Sequence, residues 1–212
     1  MRLEARSYDC GMKVRAGKFR GSKLKMATGR SIRPATGRVK SAVFDILPMD
    51  LSDQMVLDLF AGAGSFGIEA LSRGADYAVF VDQSRKAVEL IKANLRKLGC
   101  FEQAMVMTKK ASVAINQLGL EGAKFELVFV DPPFDYGLCG KTLAQLSRAG
   151  ILAKDAVVVV RASKREVTGE QYGNLIRRDL RKYGDSMVGF YFWSSRDEAE
   201  NEIEKKGREK IE

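Results

Sequence analysis

Short aliphatic runs alternate with amphipathic stretches through the middle of the chain. Residues 55–60, 77–81, 104–107, 126–130 and 156–160 each read as a strand, and Ala156-Val157-Val158-Val159-Val160 is the most apolar of them. Between them, residues 65–73, 84–98, 112–118 and 141–147 read as helices. The 84–98 stretch is the clearest. Ala87, Val88, Ile91, Leu95 and Leu98 share one face, Ser84 stands where an N-cap side chain is needed, and Gly99 follows the last apolar position. Runs that are apolar throughout suit strands buried on both faces, as in a parallel sheet. Strand–helix alternation then predicts an open α/β sheet with right-handed crossovers.

The two ends of the chain depart from this rhythm. Residues 174–180 and 187–193 read as strands joined near Tyr183-Gly184-Asp185, with no helix between them. They predict an antiparallel hairpin that closes a mostly parallel, seven-stranded sheet. Upstream, Val14 and Ala16, then Phe19 and Leu24, suggest short strands around Gly17 and Gly21. Thr36 is placed to cap a helix over 37–47, where Val39, Ala42, Val43, Ile46 and Leu47 recur at helical spacing ahead of Pro48. The expected organisation is a disordered extension over 1–11, a basic segment over 12–47, the α/β domain over 48–196 and a charged tail over 197–212.

Composition narrows the class. The chain has 212 residues, 45% hydrophobic and 30% charged, which supports a real core and excludes global disorder. Lysine and arginine total 36 against 27 acids, a net charge of +9. Ten of those bases fall between Lys13 and Lys40, where there is no acid, so the excess charge is local. A localised positive segment is the footprint of a polyanion partner. The three cysteines are an odd count without a Cys-x-x-Cys pair, and histidine is absent, so a disulfide framework, a zinc site and Ser-His or Cys-His catalysis are not expected. No apolar run approaches the roughly 18 residues of a membrane span, and the N-terminus lacks an apolar signal core. A soluble, cytoplasmic, monomeric protein with no membrane partner and no metal is expected.

Two segments carry candidate chemistry. Asp58-Leu59-Phe60-Ala61-Gly62-Ala63-Gly64-Ser65-Phe66-Gly67 follows the first core strand and satisfies G-x-G-x-x-G. Asp82, twenty residues past Gly62, ends the next strand, where a carboxylate can accept both hydroxyls of a ribose. That spacing fits a nicotinamide dinucleotide. Asp58, expected to point into the crevice, disfavours a pyrophosphate and favours a cationic group such as the amino group of a methionine moiety. The second segment, Asp131-Pro132-Pro133-Phe134, ends the fourth strand and so faces the same crevice. Proline has no N–H and stiffens the residue before it, so this turn offers carbonyls and few donors. With the Asp131 carboxylate and the Phe134 ring it suits a planar base bearing an –NH2 group.

These motifs resemble those of Rossmann-like class I S-adenosylmethionine-dependent methyltransferases acting on exocyclic amines. The resemblance sharpens at Ala16-Gly17-Lys18-Phe19-Arg20-Gly21-Ser22-Lys23-Leu24, at Ile32-Arg33-Pro34-Ala35-Thr36-Gly37-Arg38-Val39-Lys40 and at Gly67-Ile68-Glu69-Ala70-Leu71-Ser72-Arg73-Gly74-Ala75, which are similar to the RsmD family. That family methylates the N2 amine of a guanine in bacterial 16S ribosomal RNA. The resemblance implies S-adenosylmethionine as cofactor, held by Thr36, Asp58, Phe60, Gly62, Gly64, Asp82, Gln83, Lys110 and Ala111. It implies a catalytic set of Asp131, Pro132 and Phe134. Arg20, Lys23, Arg33 and Arg38 would meet RNA phosphates, within a small-subunit particle, and the Arg33–Lys40 segment would cover the cofactor. One departure stands out. Lys110 precedes Ala111 where such enzymes carry Asp or Asn on the adenine amine, so adenine is left to backbone acceptors or the match shifts by one residue. The rival readings are an amino methyltransferase acting on adenine in DNA or another RNA, a nicotinamide-dependent oxidoreductase, and a non-catalytic RNA-binding module.

Overall fold

A computed structural model describes residues 12–26, 35–134, 136–166 and 168–194. Five parallel strands form the centre: β1 (Met55–Leu59), β2 (Tyr77–Asp82), β3 (Ala104–Thr108), β4 (Phe125–Val130) and β5 (Leu152–Ser163). Antiparallel to them, β6 (Gln171–Tyr172), β7 (Leu175–Tyr183) and β8 (Ser186–Trp193) complete a sheet of order β3-β2-β1-β4-β5-β8-β7-β6. The sheet thus has eight strands where seven are predicted. The extra one, β6, is two residues long and too short to leave a periodic signal.

Helices α1 (Ala35–Phe44), α2 (Ser65–Ser72), α3 (Arg85–Leu98), α4 (Ala111–Leu120) and α5 (Leu138–Leu146) cover both faces. Alternate strand positions feed two cores. Val56, Phe80 and Phe129 pack with Val43, Phe44, Phe66, Ile68 and Ile91 on one side. Leu57, Leu59, Val81, Val128 and Val130 pack with Ile115, Leu118, Leu143 and Leu146 on the other. Among the described residues, no helix is long and apolar enough to cross a membrane.

The boundaries of α3 follow its sequence signals. Ser84 Oγ accepts the Ala87 N–H, and Gly99 closes the helix at φ 69°. The helix expected from residue 37 begins at Ala35, so Thr36 falls inside α1 rather than ahead of it. Its last turn closes early: the N–H groups of Ile46 and Leu47 both bond the Val43 carbonyl, which matches the reluctance of the residue before Pro48 to stay helical. The expected pair of N-terminal strands is absent, and a single bridge joins Lys13 to Lys23.

Residues 12–26 instead form a strap bonded to helix side chains. Glu69, fully buried in α2, accepts the N–H groups of Arg15 and Ala16. Ser72 Oγ accepts the Phe19 N–H. Gly17 permits the close approach: a Cβ there would lie 1.6 Å from the Ser72 carbonyl oxygen. Farther along, Asn94 of α3 accepts the Lys25 N–H and donates to the carbonyls of Lys25 and Ala63. The strap therefore ties to the glycine loop. Val14 and Leu24 insert into the core, and the ammonium of buried Lys40 sits 3.0 Å from Glu69 and also donates to the Lys13 carbonyl. Burial pulls Lys40 below the ordinary lysine value, and Glu69 opposes that shift.

Glu69→Ala strands a buried cation and two strap N–H groups. It is expected to cost about 3–5 kcal/mol, the range for breaking one side of a buried ion pair. Urea unfolding checks this, and a loss under about 1 kcal/mol would show that the pair behaves like a surface one.

Candidate active site

β1 and β4 are neighbours, yet β1 leads to β2 on one side while β4 leads to β5 on the other. Loops leaving their carboxyl ends diverge and leave a crevice between them. The loop after β1 starts at Phe60, whose φ of 61° is unusual for a residue with a side chain. The Ala61 N–H bonds the Val81 carbonyl, and the Gly64 N–H bonds back to Ala61. Gly62 and Gly64 lie at φ 57° and 78°, and Gly64 is the N-cap of α2. A Cβ on Gly62 would meet nothing within 4 Å, whereas one on Gly67 would lie 2.4 Å from the Phe80 ring. Gly67 is thus needed for helix–sheet packing, while Gly62 borders open space.

The strand-end acids are held in different ways. Asp82 accepts the Gly62 N–H through Oδ2 at 2.9 Å and the Ser84 N–H through Oδ1 at 2.8 Å. These bonds fix its carboxylate beside the glycine loop and leave further lone pairs for a ligand hydroxyl. Asp58 accepts the Gly67 N–H at 2.9 Å and is only 1% exposed. Burial raises its pKa well above the ordinary carboxylate value; the Gly67 N–H opposes this, and Asp131 and Asp82 add to it. Asp58 is thus almost fully buried beside the other two strand-end acids. Its strand position turns it toward α2, where it braces the start of that helix.

Asp131 is the first residue past β4. Arg161 Nη1 lies 3.2 and 3.3 Å from its two carboxylate oxygens. Burial raises the Asp131 pKa, and the Arg161 guanidinium lowers it. Pro132 is buried, Pro133 is exposed, and the half-exposed Phe134 ring lies 4.9 Å from the Arg161 guanidinium carbon. Phe134 is therefore not a core residue under the helices.

Of the remaining candidates, Gln83 is exposed next to Asp82, and Lys110 is exposed at the N-cap of α4. Ala111 is buried behind it. Arg20 and Lys23 lie exposed on the strap and Arg38 exposed on α1. Thr36 lies in the first turn of α1, and Arg33 lies outside the described residues. Three residues with roles here escaped the sequence reading. Arg161 carried a signal, a charge directly after four valines. Asn94 hides in the amphipathic pattern of α3. Glu166, whose Oε1 accepts the Cys139 N–H at the start of α5, lies in a loop without a motif. Among the described residues, no cluster of three or more His, Cys, Asp or Glu is placed to hold a metal ion. A hollow of about 520 Å³, lined by Arg15, Phe44, Met49 and Arg73, lies where α1 and α2 end.

Asp58 yields a pH expectation. A folded-state pKa above the unfolded value makes stability fall as pH rises from the ordinary carboxylate range through the raised one. Asp58→Asn keeps an acceptor for the Gly67 N–H and removes the titration. Its advantage over the parent in urea unfolding should be larger near about pH 8 than near about pH 4.5. An identical pH dependence in the two proteins would contradict a buried, titrating Asp58.

Comparison with known proteins follows the same lines. The family described as conserved hypothetical protein 95 matches residues 12–192. A Bacillus subtilis protein provisionally called the rRNA methyltransferase YlbH is 32% identical over 85% of this chain and 98% of its own length. Ribosomal RNA small subunit methyltransferase D of Escherichia coli K12 is 34% identical over 70% of this chain and 73% of its own. Among solved structures, an Escherichia coli protein provisionally titled the methyltransferase yhhF superposes with a TM-score of 0.76 at 30% identity, covering 88% of this chain and 99% of that one. The matched residues take in the strap, the glycine loop and the Asp131–Phe134 turn, and on that footing the chain belongs to the conserved hypothetical protein 95 family, the RsmD family of Rossmann-like methyltransferases.

Proposed function

We propose that this protein methylates the exocyclic N2 amine of a guanine in 16S ribosomal RNA, with S-adenosylmethionine as methyl donor. The carrying observation is that the Gly62 loop and the Asp131-Pro132-Pro133-Phe134 turn follow adjacent parallel strands and so share one crevice. Family membership sets the nicotinamide reading aside. The relatives named ribosomal RNA small subunit methyltransferase D, in Escherichia coli and in Haemophilus influenzae, support small-subunit RNA as the substrate. The base, the position on it and the particle rest on the family resemblance and on the chemistry of the turn.

The residues present fit the cofactor. Open space at Gly62 would admit a ligand against the loop backbone, and the Asp82 carboxylate, held by the Gly62 and Ser84 N–H groups, would accept ribose hydroxyls. Phe60, Gly62 and Gly64 would hold the methionine end, and Gln83, Lys110 and Ala111 lie at the strand ends where the adenosine would rest. When bound, S-adenosylmethionine supplies a methyl group already activated by its sulfonium sulfur. The protein's part is to present the amine. The Asp131 carboxylate and the Pro132 carbonyl accept its N–H bonds, drawing its lone pair out of conjugation with the ring. Phe134 offers a face for the base, and Asp131 receives the proton that the amine loses as its new C–N bond forms. A guanine in a duplex does not reach such a crevice, so the target is unpaired or flipped out. Arg20, Lys23, Arg33 and Arg38 contact phosphates, and Thr36 and its neighbours in α1 lie over the cofactor. The enzyme works as a monomer in the cytoplasm on a small-subunit particle.

The direct test is transfer of labelled methyl to 30S particles from a strain lacking the modification, with mass mapping of the nucleoside. N2-methylguanosine in 16S RNA is expected; label on adenosine, or none, overturns the reading. Asp131→Ala should lower methyl transfer by about 10²-fold or more and leave the affinity for S-adenosylhomocysteine within about twofold. Asp82→Ala should weaken that affinity by about 1.5–3 kcal/mol, the range for hydrogen bonds to a charged group, as read by calorimetry. An unchanged dissociation constant would remove Asp82 from the site.

A further inference from the structure

We propose that Arg161 is a positioning residue of the methyl-transfer site, holding the Asp131 carboxylate and the Phe134 ring in register with each other rather than touching the base. The inference rests on the function proposed above and goes beyond it.

Arg161 arrives there through strand register. Val130 of β4 pairs with Val160 of β5, so the residue after each strand partner, Asp131 and Arg161, falls side by side. β5 continues this far because β8 pairs with it, Arg161 opposite Val188 and Ser163 opposite Ser186. The guanidinium then has three separate engagements. Nε donates to Ser186 Oγ at 3.2 Å, Nη1 spans both oxygens of Asp131, and the guanidinium carbon lies 4.9 Å from the Phe134 ring centre. Anchored on β8, the plane dictates both where the carboxylate points and how the ring lies. A planar guanidinium can bond the carboxylate through Nη1, bond Ser186 through Nε and lay its face by the ring at once, whereas an ammonium keeps the charge beside Asp131 but has no plane to fix the other two.

Arg161 is itself only 8% exposed, so the charge is committed to these partners rather than to water. The other ionisable groups near Asp131 are Asp58 from β1 and Cys139 from α5, with Glu166 bonded to the Cys139 N–H. Asp58 and Cys139, when ionised, would add negative charge. Burial already raises the Asp131 pKa and Arg161 opposes that. Without the guanidinium the carboxyl takes up its proton at higher pH, and the ionised acceptor is lost over a range where the parent keeps it.

The test compares Arg161→Gln and Arg161→Lys with the parent. Carboxyl ¹³C titration of Asp131, which needs no RNA, should show its midpoint moved to higher pH in Arg161→Gln and near the parent value in Arg161→Lys. In the 30S assay, Arg161→Gln should lose at least tenfold in kcat with the acid limb displaced to higher pH. Its dissociation constant for S-adenosylhomocysteine should stay within twofold. Arg161→Lys should restore the limb and only part of kcat. An unmoved midpoint, or loss of S-adenosylhomocysteine binding in parallel with kcat, overturns the proposal in favour of a purely structural pair. Should Arg161→Gln fail to fold, Ser186→Ala frees Nε and leaves the charge. A kcat at least threefold lower with the limb in place supports the role, and parental kcat overturns it. Absence of methyl transfer by the parent, with the titration result intact, would instead refute the RNA reading.

Discussion

Parallel pairing of β1 with β4, from Val56 opposite Leu127 to Leu59 opposite Val130, decides where the chemistry can be. These strands are far apart in the chain, and each carries its own loop at its carboxyl end. Because the chain turns opposite ways after them, neither loop covers the other. The glycine loop and the proline-rich turn come to face one space. Everything else in the site extends that register. β2 adds Asp82 beside Gly62, and β5 adds Arg161 beside Asp131.

Bringing three strand-end carboxyls to one region creates an electrostatic difficulty, and the fold resolves it differently at each. Asp82 spends its charge on two backbone N–H groups and stays partly open. Asp131 faces a guanidinium. Asp58, walled in by α2, is biased toward its neutral form and acts as a bracket for Gly67. Three identical side chains thus become an acceptor for loop N–H groups, the partner of a guanidinium and a buried bracket for a helix start. The division follows from burial and partner, not from motif membership.

Much of this was legible in the chain. Ser84 and Gly99 bound α3 as their chemistry dictates, and the valine-rich runs became the parallel centre because periodicity reports burial. Gly62, Asp82 and Asp131 could be placed at or just past strand ends because the apolar runs before them stop there. What escaped depends on long-range contact. Val14 and Leu24 look like strand residues, yet they belong to a strap whose backbone bonds to Glu69, Ser72 and Asn94. Asp58 reads as an open strand-end acid until α2 is packed over it. Arg161 gains meaning only once β8 extends β5, a pairing between segments about 30 residues apart.

The Glu69 carboxylate gathers donors from two places, the strap backbone and Lys40 of α1, and Arg73 at the end of its own helix adds an ion pair at 3.5 Å. A protease that cut the chain between the strap and α1 would therefore release neither piece. The strap fragment would stay docked on α2, which remains joined to α1 in the other fragment, through the same buried oxygen atoms, and the nicked protein would run as one particle until denatured.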